Sequence, residues 1–150
     1  MEDFKIFLIK AKKSTYALSG EKGDNSLADG AKELDYKSGA FYYRDRYYGS
    51  DPFIGEEVVF LNNKALWVMN YSGRCLSSMV SKNKIYGFLK RCLKKVSIYN
   101  PFRGPDEYQS GDYTYKNKVK GNIDNFYGEE CLYCKNKKIY GLKYHGGLVK

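Results

Sequence analysis

Apolar positions along this chain follow two periods. Phe4, Phe7, Leu8 and Ala11 stand at i, i+3, i+4 and i+7, which predicts a helix with lysines on its other face. Ile85, Phe88, Leu89, Cys92 and Val96 draw the same stripe later in the chain and predict a second helix. After each helix the period changes to two. Phe41, Tyr43 and Tyr47 face one side of a strand, and Tyr42, Arg44, Arg46 and Tyr48 face the other. Further on, Tyr113, Tyr115 and Val119 alternate with Thr114, Lys116, Lys118 and Lys120. Asn62-Asn63-Lys64 and Lys135-Asn136-Lys137 then read as tight hairpin turns between second and third strands.

The two halves also match in sequence. Residues 53–76 laid over 126–149 share eight identities without a gap: Phe53, Gly55, Glu56, Glu57, Asn63, Lys64, Tyr71 and Gly73 each meet the same residue type. Blocks 39–49 and 111–121, and Phe7-Leu8 with Phe88-Leu89, match upstream in the same order. The expected fold is therefore α+β: one domain over 1–150, duplicated internally as a helix-plus-three-strand unit (2–76 and 82–150). Pseudo-twofold symmetry would relate the units, with antiparallel sheet or sheets covered by two helices. Such duplications often hold a ligand groove along the pseudo-axis, an expectation that rests on analogy.

Composition narrows the picture. The chain carries 16 Tyr and 8 Phe, a bias that suits half-buried strands. Its 26 Lys plus Arg against 17 Asp plus Glu give +9, which favours anionic partners. The N-terminus opens on Glu2-Asp3 with too short an apolar run for a secretory signal, and no stretch could span a bilayer. A soluble cytoplasmic setting with no membrane partner and reduced cysteines is expected. Homo-oligomerisation is left open.

Several constellations bear on chemistry. Cys131-Leu-Tyr-Cys134 lies in a strand, where i and i+3 point to opposite faces, so no metal site is assigned. The repeated Gly-Glu-Glu offers Glu57 with Glu130, or Glu56 with Glu129, either as convergent carboxylates or as ion pairs to the nearby basic strand. Asp45 and Asn117 fall on the aromatic side of their strands, in a satisfied core network or the polar part of a pocket. His145 matches Ser72 in the other half, and Arg103 is set between Pro101 and Pro105. The segment from Leu18 to Asp35, with Gly20 and Gly23, reads as a flap or a disordered loop without phosphate-loop spacing. Arg44, Arg46, Lys116, Lys118 and Lys120, interleaved with Tyr42 and Tyr48, form a basic and aromatic strand face.

Over nearly its whole length the chain also resembles a family of uncharacterised bacterial domains of unknown function. The resemblance is carried by Phe7-Leu8, Lys12 to Ala17, Leu34-Asp35-Tyr36, Tyr43-Arg-Asp-Arg-Tyr47, Phe53-Ile-Gly-Glu-Glu-Val58, Trp67-Val-Met-Asn-Tyr71, Gly73-Arg74, Arg103-Gly-Pro105, Gly111-Asp-Tyr-Thr-Tyr115 and Tyr144-His-Gly-Gly147. Members stand alone or lie behind a helix-turn-helix regulator, which implies an effector-sensing module. This chain departs from the pattern at 18–33 and lacks the helix-turn-helix.

The functional expectation is a non-enzymatic domain for an anionic, aromatic, nucleotide-like small molecule, with no cofactor. It would act as an effector sensor or, as a stand-alone or phage-borne protein, by sequestering a nucleotide signal. Candidate ligand residues are Tyr43, Arg44, Asp45, Glu57, Trp67, Asn70, Tyr71, Arg74, Arg103, Tyr115, Glu130, Tyr144 and His145. A nucleic-acid-binding or transcription-associated module is the alternative. A hydrolase using Glu57 and Glu130 is the third reading.

Overall fold

The computed structural model describes residues 2–18 and 25–149. Helix α1 (Glu2–Leu18) is followed by strands β1 (Asn25–Ser26), β2 (Lys32–Ser38), β3 (Phe41–Gly49), β4 (Phe53–Leu61) and β5 (Lys64–Cys75). Helix α2 (Lys82–Leu93) is followed by β6 (Glu107–Ser110), β7 (Tyr113–Asn122), β8 (Asn125–Cys134) and β9 (Lys137–Leu148). The described strands form one antiparallel nine-stranded sheet in the order β1-β2-β3-β4-β5-β9-β8-β7-β6. Among the described residues, no helix is long and apolar enough to cross a membrane.

This architecture corrects the expected one. A helix-plus-three-strand unit does not describe the chain, because five described strands follow α1, four follow α2, and all share one sheet. The extra strands lie in stretches read as loops. β2 has sequence Lys-Glu-Leu-Asp-Tyr-Lys-Ser, whose four charged residues have poor strand propensity. It forms because β3 offers a free edge, with Leu34 buried opposite Asp45. β6 is likewise only four residues long and pairs Glu107–Ser110 with Tyr113–Lys116. Gly20 and Gly23 of the expected flap lie outside the described residues. α2 ends at Leu93, so Val96 is not part of its stripe; it is buried after two tight turns, Lys95 N–H to Cys92 C=O and Val96 N–H to Leu93 C=O.

The hairpins obey local chemistry. Asn62 and Asn63 join β4 to β5 with φ of 50° and 66°, and Lys135 with Asn136 joins β8 to β9 with φ of 49° and 65°. Two left-handed residues make the short turn whose twist matches the flanking strands. Each hairpin then carries one unpaired extra residue on its returning strand, Leu66 in β5 and Ile139 in β9.

Both helices lie on one face of the sheet. Phe7 of α1 stacks on Phe41 at 5.0 Å, and Phe88 of α2 meets Tyr113 at 5.3 Å. Between them, Trp67 stacks on Phe126 at 5.6 Å and donates from its indole to the Ile123 carbonyl at 3.2 Å. At the β5–β9 seam Tyr71 pairs with Tyr144, and each ring lies across a neighbouring-strand glycine, Gly55 and Gly128 respectively. A methyl group at either glycine would meet a buried tyrosine ring. Gly128→Ala is therefore expected to cost about 1–3 kcal/mol through overpacking. The check is a urea midpoint that falls while the m-value stays constant.

Candidate ligand groove and the buried network beneath it

The helix-facing side of the sheet buries charge as well as aromatic rings. Glu57 on β4 and Glu130 on β8 are both fully buried. Lys12, four residues after Leu8 and so on the inward face of α1, meets Glu57 Oε2 at 2.5 Å and donates to the Phe102 carbonyl at 2.6 Å. Arg103 grips Glu130 with two hydrogen bonds, at 3.2 and 3.0 Å. Glu130 also accepts from Tyr115 at 2.6 Å and from Tyr140 at 3.1 Å. An ion buried this deeply is tolerated only when paired and hydrogen-bonded, and Glu130 has four such bonds.

The seam tyrosines join the same network. Tyr71 donates to Asp45 at 2.5 Å, and Tyr144 donates to Asn117 at 2.8 Å. Asn117 in turn donates to the Gly104 carbonyl at 3.1 Å, beside Arg103. Burial, then the Asp45 carboxylate, holds the Tyr71 hydroxyl well above its ordinary pKa; burial and Glu130 do the same for Tyr115. Both stay protonated donors. Burial pulls the Lys12 ammonium down, against the upward pull of Glu57. Burial, followed by the Glu57 charge, pushes the Asp45 carboxyl up to about 7.

The opposite sheet face carries a groove of about 690 Å³. Its lining follows from strand register. One outward row runs Ile54, Ser72, Lys143, Glu129 and Lys118 across β4, β5, β9, β8 and β7. A second runs Asn70, His145, Tyr127 and Lys120. Tyr71, Tyr144 and Gly128 form the row between them. Neighbours within a row are about 4.8 Å apart and the two outward rows roughly 7 Å apart. Ile54 and Tyr127 rise on either side of the seam, each 59% exposed.

Charge compensation differs across this face. Arg44 lies 3.6 Å from Glu56, and Arg46 lies 3.6 Å from Glu33 and 3.5 Å from Asp29. Glu129 is taken by Lys138 at 3.0 Å, which holds its carboxyl below the usual range. Among the described residues Lys118, Lys120 and Lys143 have no carboxylate within 4.0 Å, and Lys120 lies 5.9 Å over the Tyr127 ring. The β7–β9 half thus gathers three lysines without a close ion pair around an exposed aromatic ring, with Glu129 in the row between Lys118 and Lys143.

Of the candidate residues from sequence, Asn70, Tyr71, Tyr144 and His145 meet at this groove. Tyr43, Asp45, Glu57, Trp67, Arg103, Tyr115 and Glu130 are buried in the helix-covered core, and none lines the groove. The Glu57 and Glu130 partners are Lys12 and Arg103, not the basic strand. Arg44 is ion-paired outside the groove, and Arg74 is exposed on β5 opposite Gly141. Cys131 lies beside Glu129 at 3.7 Å while Cys134 joins the core. Sequence reasoning missed Ile54, Tyr127 and Lys143, although alternation carried outward from His145 would have placed Lys143 and, across the hairpin, Tyr127 beside it.

Two outcomes follow for the network. Glu130→Gln leaves Arg103 buried without its countercharge, so a loss of roughly 3–5 kcal/mol is expected in urea unfolding. The Asp45 pKa is raised on folding, so its contribution is fully present below the unfolded value near 4 and is lost as pH rises to about 7. Asp45→Asn keeps an acceptor for Tyr71 and removes this titration. Relative to wild type, the variant should gain stability between pH 4 and 7, by on the order of a few kcal/mol, and hold that advantage at pH 8.

No curated protein and no solved structure matches the chain. The family described as "Domain of unknown function (DUF5680)" matches residues 45–149, which take in β3 from Asp45 onward, β4 to β9 and α2. The match spans the groove and most of the buried network, and the chain belongs to this family.

Proposed function

We propose that the chain is a non-enzymatic binding domain for an anionic, aromatic, nucleotide-like small molecule, held in the open-face groove. The observation that carries this reading is the set of Lys118, Lys120 and Lys143, which have no carboxylate within 4.0 Å among the described residues and gather around the exposed Tyr127 ring. A planar ring stacks on Tyr127, while the ammonium groups meet phosphate. Asn70, Ser72 and His145 offer hydrogen bonds to the polar edge of the ring. The groove volume lies in the range of small-molecule sites.

The ligand occupies the face away from the helices, so binding need not open the core. The buried tyrosines Tyr71 and Tyr144 underlie the groove and are locked by Asp45 and Asn117, which keeps its floor preorganised. Such a site suits an effector sensor or a protein that sequesters a nucleotide signal. The resemblance to modules found behind helix-turn-helix regulators supports the sensing role.

Isothermal titration with nucleoside mono-, di- and triphosphates and with the uncharged nucleosides tests the reading. Binding of phosphorylated forms is expected, with affinity falling about tenfold in Lys143→Ala and in Tyr127→Ala. Absence of heat across the panel, or equal affinity for the uncharged nucleosides, would overturn it.

A further inference from the structure

The groove ends at β7, but its chemistry does not. Lys116, Lys118 and Lys120 alternate along the outward face of this strand, and all three are exposed. Each end of this ladder lies over a tyrosine of β8: Lys120 is 5.9 Å from the Tyr127 ring and Lys116 is 6.0 Å from the Tyr133 ring. Lys116 faces Glu107 of β6 in register, yet no carboxylate comes within 4.0 Å of it among the described residues. β6 pairs with β7 only as far as Lys116, so along Lys118 and Lys120 this strand is the border of the sheet. The ladder therefore has open space beside it as well as above it.

Spacing gives the ladder a chemical meaning. Outward residues of one strand recur about every 6.7 Å. A single nucleic-acid strand drawn out of its 3.4 Å stacking to roughly twice that rise places one phosphate per such step. Tyr127 and Tyr133 then supply stacking platforms parallel to the phosphate line, the combination used to hold single strands without reading their sequence. A duplex cannot use the platforms, because its bases are paired and stacked on one another.

We propose that β7 and β8 form a track for single-stranded nucleic acid, about three nucleotides long, with phosphates on Lys116, Lys118 and Lys120 and bases on Tyr127 and Tyr133. The track rests on the groove reading in one respect: Tyr127, Lys118 and Lys120 belong to both. Lys116 and Tyr133 lie outside the groove and separate the two.

Fluorescence anisotropy with labelled oligothymidylates of two, four and eight nucleotides, a hairpin duplex and competing thymidine monophosphate provides the test. Affinity should rise from two to four nucleotides, exceed that of the duplex, and fall with salt at a log–log slope of about −2 for three phosphate contacts. Lys116→Ala should weaken the four-nucleotide strand by about three- to tenfold and flatten the slope by about 0.7, leaving the monophosphate and the melting temperature unchanged. Tyr133→Ala should weaken the same strand by about tenfold or more. Monophosphate binding with no gain from length, or equal affinity for duplex, overturns the track while the groove reading stands. Oligonucleotide binding without any nucleotide binding does the reverse. If neither binds, both fail, and the lysines serve as edge charges that block strand-to-strand aggregation.

Discussion

Two carboxylates buried under the helices, Glu57 and Glu130, impose the constraint on which the rest of this structure depends. Among the described residues no lysine or arginine of the strands comes within 4.0 Å of either. Each must be met by a cation brought from outside the sheet: Lys12 from α1 and Arg103 from the segment after α2. Lys12 also holds the Phe102 carbonyl, so the two anchors touch. A helix and a loop distant in sequence are thereby pinned over the seam where β5 meets β9. Hydrophobic packing gives this layer its cohesion, but it is non-directional. The ion pairs and tyrosine hydrogen bonds supply direction and fix where the covering elements lie.

That arrangement sets the two faces against each other. On the covered side, Glu130 accepts four hydrogen bonds, and the seam tyrosines are held by packing and by Asp45 or Asn117. Nothing comparable constrains the open side. There β3 pairs its arginines with Glu33, Asp29 and Glu56, whereas among the described residues Lys116, Lys118 and Lys120 of β7 have no carboxylate within 4.0 Å. The matching positions of the two halves thus share a backbone setting and differ in electrostatics. The same strand register that aligns the sheet delivers Tyr127, His145 and Lys143 into one place.

Legibility in the sequence varied with how local the cause was. The long strands and both helices show in their periods because each buries one face along its own length. The hairpin turns show because asparagine and lysine at left-handed φ are a local matter. β2 and β6 did not show: β2 carries four charges in seven residues, β6 is only four residues long, and both become strands only because β3 and β7 present partners. Lys12 was assigned to the outer face of α1 by its charge alone, although its spacing from Leu8 places it on the buried stripe. Most of the proposed ligand residues were chosen for chemical type, and type cannot distinguish Glu130, enclosed by four donors, from a carboxylate in a groove.

By itself, then, the sequence determined the elements whose formation depends on near neighbours and the alternation of faces along the long strands. Tertiary structure alone decided that all strands would join one sheet, which face the helices would cover, and which charges would meet. The physical reason is that ion pairing and burial depend on residues brought together from far apart in the chain. Lys12 reaches Glu57, and Arg103 reaches Glu130, only once the sheet exists to be covered.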